Sequence, residues 1–221
     1  MIDVSFLLWT RMHLSMFSIF ALGFTITVGG AQGNLGRELV AQSLQRGWDV
    51  VGVVRRPNDP VFMPWRKGWL SPVSDKLEPI RSERLVLTTN TDCGSTDAVV
   101  FAFSGKPFGN EGIQQTDVVR RMCDTSPNET KLCFVSAHGT GDSAVNANLG
   151  IQVMNKWYLK DVYNAKQTQE DIILQTLNPS LILRPKVLSY ENIPLNPVAT
   201  RRQDLAREIL DWVSSSNPGV R

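Results

Sequence analysis

The run Thr27-Val28-Gly29-Gly30-Ala31-Gln32-Gly33-Asn34-Leu35-Gly36-Arg37 constrains this chain more than any other. Before it, Phe24 to Val28 is apolar or β-branched and predicts a buried strand. After it, Leu35, Leu39, Val40 and Leu44 fall on one face of a helix that Gly47 is suited to close. Asp49 to Val54 then predicts a second strand. The result is a βαβ unit with Gly30, Gly33 and Gly36 at its turn. One glycine permits the sharp turn, one lets backbone approach a pyrophosphate, and one lets helix and strand pack closely. Through Gln32, Gly33, Asn34 and Leu35 the start of the helix offers backbone N–H groups and a positive dipole end to an anion. The pattern predicts a dinucleotide site on a Rossmann-type, doubly wound parallel α/β sheet; the bland alternative is a tight structural turn with no ligand.

The end of the second strand refines the ligand. Arg55 stands 19 positions beyond Gly36, followed by Arg56 and Pro57, and no carboxylate occurs until Asp59. An acid here holds a ribose 2′-hydroxyl, whereas arginine suits a 2′-phosphate. NADP(H) is therefore expected ahead of NAD(H), with Arg55 and Arg56 at the phosphate. Against this stands a solvated basic loop, because adjacent side chains do not both point one way.

With these residues in view the chain resembles the atypical short-chain dehydrogenase/reductases, and among them the NmrA-like NAD(P)-binding group. The glycines from Gly30 to Gly36 and the strand Val50 to Pro57 carry the more specific part of the likeness. It continues through Asp97–Phe103 and Lys131–Gly139, resembling the family's fourth and fifth strands. Lys166 and Glu170 match a K-x-x-x-E helix, Leu181–Pro185 a strand ending in Arg-Pro, and Arg202–Ala206 the start of the last helix. The resemblance covers nearly everything from Phe24 onward. It implies cofactor contacts from Lys166 and Pro185 besides the glycine turn.

In the wider superfamily a serine, a tyrosine and a lysine cooperate, the tyrosine passing the proton and the lysine holding the ribose. Tyrosine and lysine sit four apart so that both share one helix face. Here Lys166 is in place, Ser136 follows the fifth strand, and the position four before the lysine is Val162. Tyr163 lies three before it, about 100° round the helix from the family position. The candidate catalytic set is thus Ser136, Tyr163 and Lys166, with the phenol displaced. Met154, Tyr158, Val162, Ala165, Gln169, Ile172 and Ile173 form a stripe expected to face core or partner, which places Lys166 at its margin, within reach of Glu170. His138 is either a substitute proton donor or a loop histidine satisfied by backbone. The chain has no glycine-x-serine-x-glycine elbow, which excludes a serine hydrolase of that type.

Length, charge and cysteines set the remaining bounds. A chain of 221 residues suits one domain, here expected over 24–221 after an apolar segment 1–23. The net charge of +2, with basic residues scattered, argues against nucleic-acid binding. Cys93, Cys123 and Cys133 form neither a zinc motif nor a disulfide framework, which favours a reducing compartment. The N-terminal apolar run reads as a presequence, an interfacial anchor or a packed extension. The first is loosely similar to algal plastid presequences, leaving plastid stroma or cytoplasm as settings, and only this run offers membrane contact. Pro57 to Glu83, with four more prolines inside it, is expected to be a long loop.

A short polar link, Thr88 to Thr96, joins the third and fourth strands where the family has a helix. Its absence exposes sheet to solvent or to a partner protein, as does the helix expected over 151–177. Asp92 falls near the place of an adenine-binding acid. After Pro185 only Lys186 to Thr200 is available to wall off a substrate. Val162, the short link and this minimal substrate region favour a weakly active or non-catalytic cofactor-binding module, a sensor or accessory subunit. The alternative is an NADPH-dependent reductase of a small carbonyl, ene or quinone. A membrane protein with a soluble tail is the weakest reading.

Overall fold

The computed structural model describes residues 23–64, 78–103, 111–144, 159–189 and 199–216. Six strands, β1 (Thr25–Gly29), β2 (Asp49–Val53), β3 (Leu85–Thr88), β4 (Ala98–Phe101), β5 (Lys131–Val135) and β6 (Ser180–Leu183), form one sheet in the order β3-β2-β1-β4-β5-β6. Every neighbouring pair is parallel. The chain winds outward from β1 to β3, returns to β4 and winds the other way. A crevice opens at the carboxyl ends of β1 and β4, where the direction reverses.

Helices cover both faces, so the central strands read as continuous apolar runs. Helices α1 (Asn34–Gln45) and α4 (Arg202–Ser214) lie on one side; α2 (Glu111–Thr125) and α3 (Lys160–Leu174) lie on the other. Along β4 successive side chains alternate between the two cores. Val100 joins Ile26, Leu39 and Ile209, while Phe101 joins Phe134, Met122 and Ile173. The glycine after α1, Gly47, adopts a φ of 77°, as the helix end predicts. A short parallel pair, β7 (Val187–Ser189) and β8 (Ala199–Arg201), leads into α4. The last carbonyls of that helix would lack intrahelical donors. Lys131, at the start of β5, supplies them by donating to Trp212, Val213 and Ser215.

The link between β3 and β4 contains no helix, as its length predicts. In place of one, Thr96 reaches under the sheet and its hydroxyl bonds that of Thr27 at 3.1 Å. Thr27, Val51 and Val86 stand side by side on that face. Past Thr27 the cover fails: Val51 is half-buried and Val86 is 43% exposed. The helix expected over 151–177 is described as Lys160–Leu174; its first part, with Met154 and Tyr158, lies outside the described residues, as does segment 1–22. Between β2 and β3 the described residues hold only an antiparallel bridge from Phe62 to Pro79. Among the described residues no helix is long and apolar enough to cross a membrane, and no His, Cys, Asp and Glu group is placed to hold a metal.

Candidate dinucleotide site

The three turn glycines answer to different demands. Gly30 has a φ of 80° and donates its N–H to Val53 at 3.0 Å, closing the turn across β1 and β2. A β-carbon on Gly36 would stand 2.1 Å from the Gly30 carbonyl, so strand and helix touch there. Gly33 differs. Its φ of −70° suits any residue, and an added β-carbon would meet only the Gly30 carbonyl at 3.1 Å and that of Ala102 at 3.8 Å. The contact with the Gly30 carbonyl is tight but milder than the clash at Gly36. Gly33 is also the N-cap of α1, and no side chain caps that end, which leaves the helix start suited to an anion. Leu35 is buried in the core, so only its backbone could face a ligand, whereas Asn34 is exposed.

A cleft of about 480 Å³ opens over this turn, within the range of small-molecule sites. Gly30, Gln32 and Gly33 form its floor, and Val53, Val54 and Arg55 continue it along the end of β2. Thr89 and Thr91 stand beyond β3, Ala102 and Phe103 beyond β4, and Gln114, Gln115 and Val118 close it from α2. The two arginines part company. Arg55 lines the cleft, whereas the Arg56 guanidinium turns outward to Asp59 at 3.9 Å with its side chain 81% exposed. Gln32 holds this loop down, its amide donating to the carbonyls of Arg56 at 3.0 Å and Asp59 at 2.7 Å. Arg37 in turn donates to the Gln32 carbonyl and lies over the Phe62 ring.

Lys166 projects from α3 beneath the carboxyl ends of β4 and β5. Its ammonium donates to the carbonyls of Phe103 at 3.1 Å and Val135 at 2.8 Å and sits 4.8 Å from the centre of the Phe134 ring. It is buried, not at the solvent margin that the stripe suggests, because these carbonyls draw it under the sheet edge. Burial lowers its pKa to about 8, opposed by the Glu170 carboxylate one turn on.

Ser136 and Tyr163 are spent on the fold. The Ser136 hydroxyl lies 3.0 Å from that of Thr140, which donates to Glu170 at 2.8 Å. Glu170 is fully buried and receives Arg184 through Nε at 3.1 Å and Nη2 at 2.6 Å. Desolvation pushes its pKa up, but hydrogen bonds from Arg184, Ser136 and Thr140 outweigh it and hold the carboxyl below its ordinary value. The Tyr163 phenol donates to the His138 carbonyl at 3.0 Å, and the Gly141 N–H to Gln167 at 2.7 Å. Together these bonds tie the loop 136–141 to α3. The His138 N–H donates to the Pro185 carbonyl at 3.2 Å. Val162, at the family's tyrosine position, is half-buried. Asp92 bends back to accept the Gly94 N–H at 2.9 Å, a local turn.

Fold and cleft define a dinucleotide-binding α/β protein. The sequence matches the NAD(P)H-binding family over residues 30–209, and the chain belongs to that family, on the fold of the atypical short-chain dehydrogenase/reductases. No curated protein matches it. Among solved structures it is similar to the oxidoreductase ylbE of Lactococcus lactis, at 13% identity over 86% of each chain and a TM-score of 0.60. It is also similar to ChuY, an anaerobillin reductase of Escherichia coli O157:H7, at 14% identity over 87% of this chain and 91% of that one, TM-score 0.58. SP1627 of Streptococcus pneumoniae, named as a candidate NADH-flavin reductase, gives 13% identity over 88% and 95%, TM-score 0.57. At such identities the likeness shows the fold. Neither the family nor these structures supports an accessory-subunit role or a plastid setting.

Proposed function

We propose that this chain is an NADP(H)-dependent reductase whose acceptor is a conjugated molecule, a flavin, quinone or enone, rather than a simple carbonyl. The observation that carries the reading is the cleft running from the bare Gly33 turn to Arg55. The turn and Arg55 in the cleft, with Asn34, Leu35, Lys166 and Pro185 outside its lining, fit the cofactor. Backbone at Gly30, Gly33, Asn34 and Leu35 would hold the pyrophosphate, Arg55 the 2′-phosphate, and Lys166 the second ribose beside Pro185. When bound, the cofactor supplies a hydride.

The acceptor class follows from the missing acid. General acid catalysis contributes about 10²–10⁴-fold, and a simple carbonyl needs it to quench a localised alkoxide. Val162 carries no proton, the Tyr163 phenol is donated to a backbone carbonyl, and the Ser136 hydroxyl is directed inward. A conjugated acceptor spreads its charge and is less dependent on an acid. A second reading, cofactor binding without turnover, is favoured by the same engaged phenol. Steady-state oxidation of NADPH with FMN, a naphthoquinone, an enone and aliphatic aldehydes tests both. Turnover confined to the conjugated acceptors is expected. Robust aldehyde reduction that Tyr163→Phe destroys would overturn the acceptor class. Tight NADPH binding with no turnover on any acceptor would select the second reading.

A further inference from the structure

The corner where the cover of the sheet fails is also one of its edges. Among the described strands β3 is the last on its side, with β2 as its one neighbour. The carbonyls of Arg84 and Thr88 accept the N–H groups of Val50 and Val54, so those of Leu85 and Leu87 between them point away from the sheet. The Leu85 N–H turns back to the Ser82 carbonyl at 3.2 Å. That leaves the Leu85 carbonyl and both backbone groups of Leu87 directed outward. On the uncovered face Val86 is 43% exposed beside the half-buried Val51. Edge strands are ordinarily guarded by a lysine, a proline, a bulge or a covering element. From Leu85 to Thr91 this chain carries no charge and no proline.

We propose that β3 is the interface with a second copy of this chain, the two strands pairing antiparallel about a two-fold axis at Leu87. In that register each Leu87 N–H donates to the Leu87 carbonyl of the other copy, and each Thr89 N–H to the other Leu85 carbonyl. The Leu85 N–H, already used within its own chain, is not called upon. Val86 falls opposite Thr88, which extends the apolar face of each copy across the axis. Charge fixes the direction. Arg81, Glu83 and Arg84 before the strand sum to one positive charge, and Asp92 after it is negative. Antiparallel pairing sets the basic end of one copy beside the acidic end of the other, whereas parallel pairing would set like beside like. The same surface serves both copies, as a two-fold dimer requires.

Sedimentation velocity on the full chain tests this. The contact is small, so a dimer is expected whose fraction grows with concentration between about 1 µM and 1 mM. Leu87→Pro removes an N–H that points away from β2, and Val86→Lys sets a like charge on each side of the axis. Each variant is expected to raise the dimer Kd by about tenfold or more, since every contact is lost twice across the axis. Circular dichroism should show both folded. Val86 is exposed, so the lysine variant keeps its fold even where the proline does not. In the wild type the Leu87 amide should exchange its hydrogen more slowly as concentration rises. A wild type that stays monomeric over the whole range overturns the proposal. So does a folded Val86→Lys protein that dimerises with wild-type affinity, or a Leu87 amide that exchanges equally fast at both ends of the range.

Discussion

Arg55 and Arg56 are neighbours in sequence with different surroundings, and the difference is measurable. Arg55→Ala should weaken NADP(H) binding by about 1.5–3 kcal/mol, the range for hydrogen bonds to a charged group, and leave NAD(H) nearly unchanged. Arg56→Ala should change neither, because its exposed ion pair with Asp59 lies outside the cleft lining. Fluorescence titration of both cofactors decides it; equal losses from the two variants would remove the distinction. The glycines divide in the same way. Gly33→Val should fold yet fail to bind, since its side chain would fill the turn where backbone meets pyrophosphate. Gly36→Val should not fold stably, since its β-carbon meets the Gly30 carbonyl head on. Circular dichroism with cofactor titration separates these outcomes. A Gly33→Val protein that binds normally would make the turn purely structural.

At the scale of elements, α3 is held by a buried carboxylate and a buried ammonium on successive turns. Glu170→Ala removes the buried carboxylate to which Arg184 and Thr140 donate, and breaking a buried pair this way costs about 3–5 kcal/mol. Urea denaturation should show that loss, and a cost near zero would mean the network contributes nothing. Lys166 adds a pH signature. Its folded pKa of about 8 lies below the ordinary 10.5, so the penalty for burying its charge is present below pH 8. It is relieved as pH rises toward 10.5, where the unfolded chain still holds the proton. Relative to Lys166→Met, the wild type should therefore gain on the order of 1–2 kcal/mol between pH 7.5 and 9.5. Parallel denaturation curves at both pH values check this, and identical pH dependence would sink it. The sequence showed β1, α1 and β2 clearly because their periodicities are local. It showed where Ser136, Tyr163 and Lys166 lie but not what they touch. The Ser136 hydroxyl is directed by Thr140, and that in turn by Glu170 on another element, a relation no local spacing encodes. Likewise α2 carries only a weak periodicity, its apolar Val119, Met122 and Cys123 diluted by polar neighbours.

The whole molecule is a sheet with two well-packed cores and one thinly covered corner, and the crevice sits where the two halves of the winding meet. The glycine turn and α1 belong to one side, while α2 and the Lys166 helix belong to the other. A dinucleotide lying across the crevice therefore bridges both sides, so its binding must be lost when either unfolds. Ligand that binds only the folded state stabilises it by RT ln(1 + [L]/Kd), about 2.7 kcal/mol at one hundred times Kd. For a domain of this size each kcal/mol raises the melting temperature by about 2–4 °C, so saturating NADPH should add roughly 5–10 °C. NADH at the same concentration should add less, by the contribution of Arg55. Scanning calorimetry should also show one cooperative transition with and without ligand, shifted as a unit. A split transition, with only its upper part responding to NADPH, would mean that the cofactor engages one side alone and that Lys166 does not reach it.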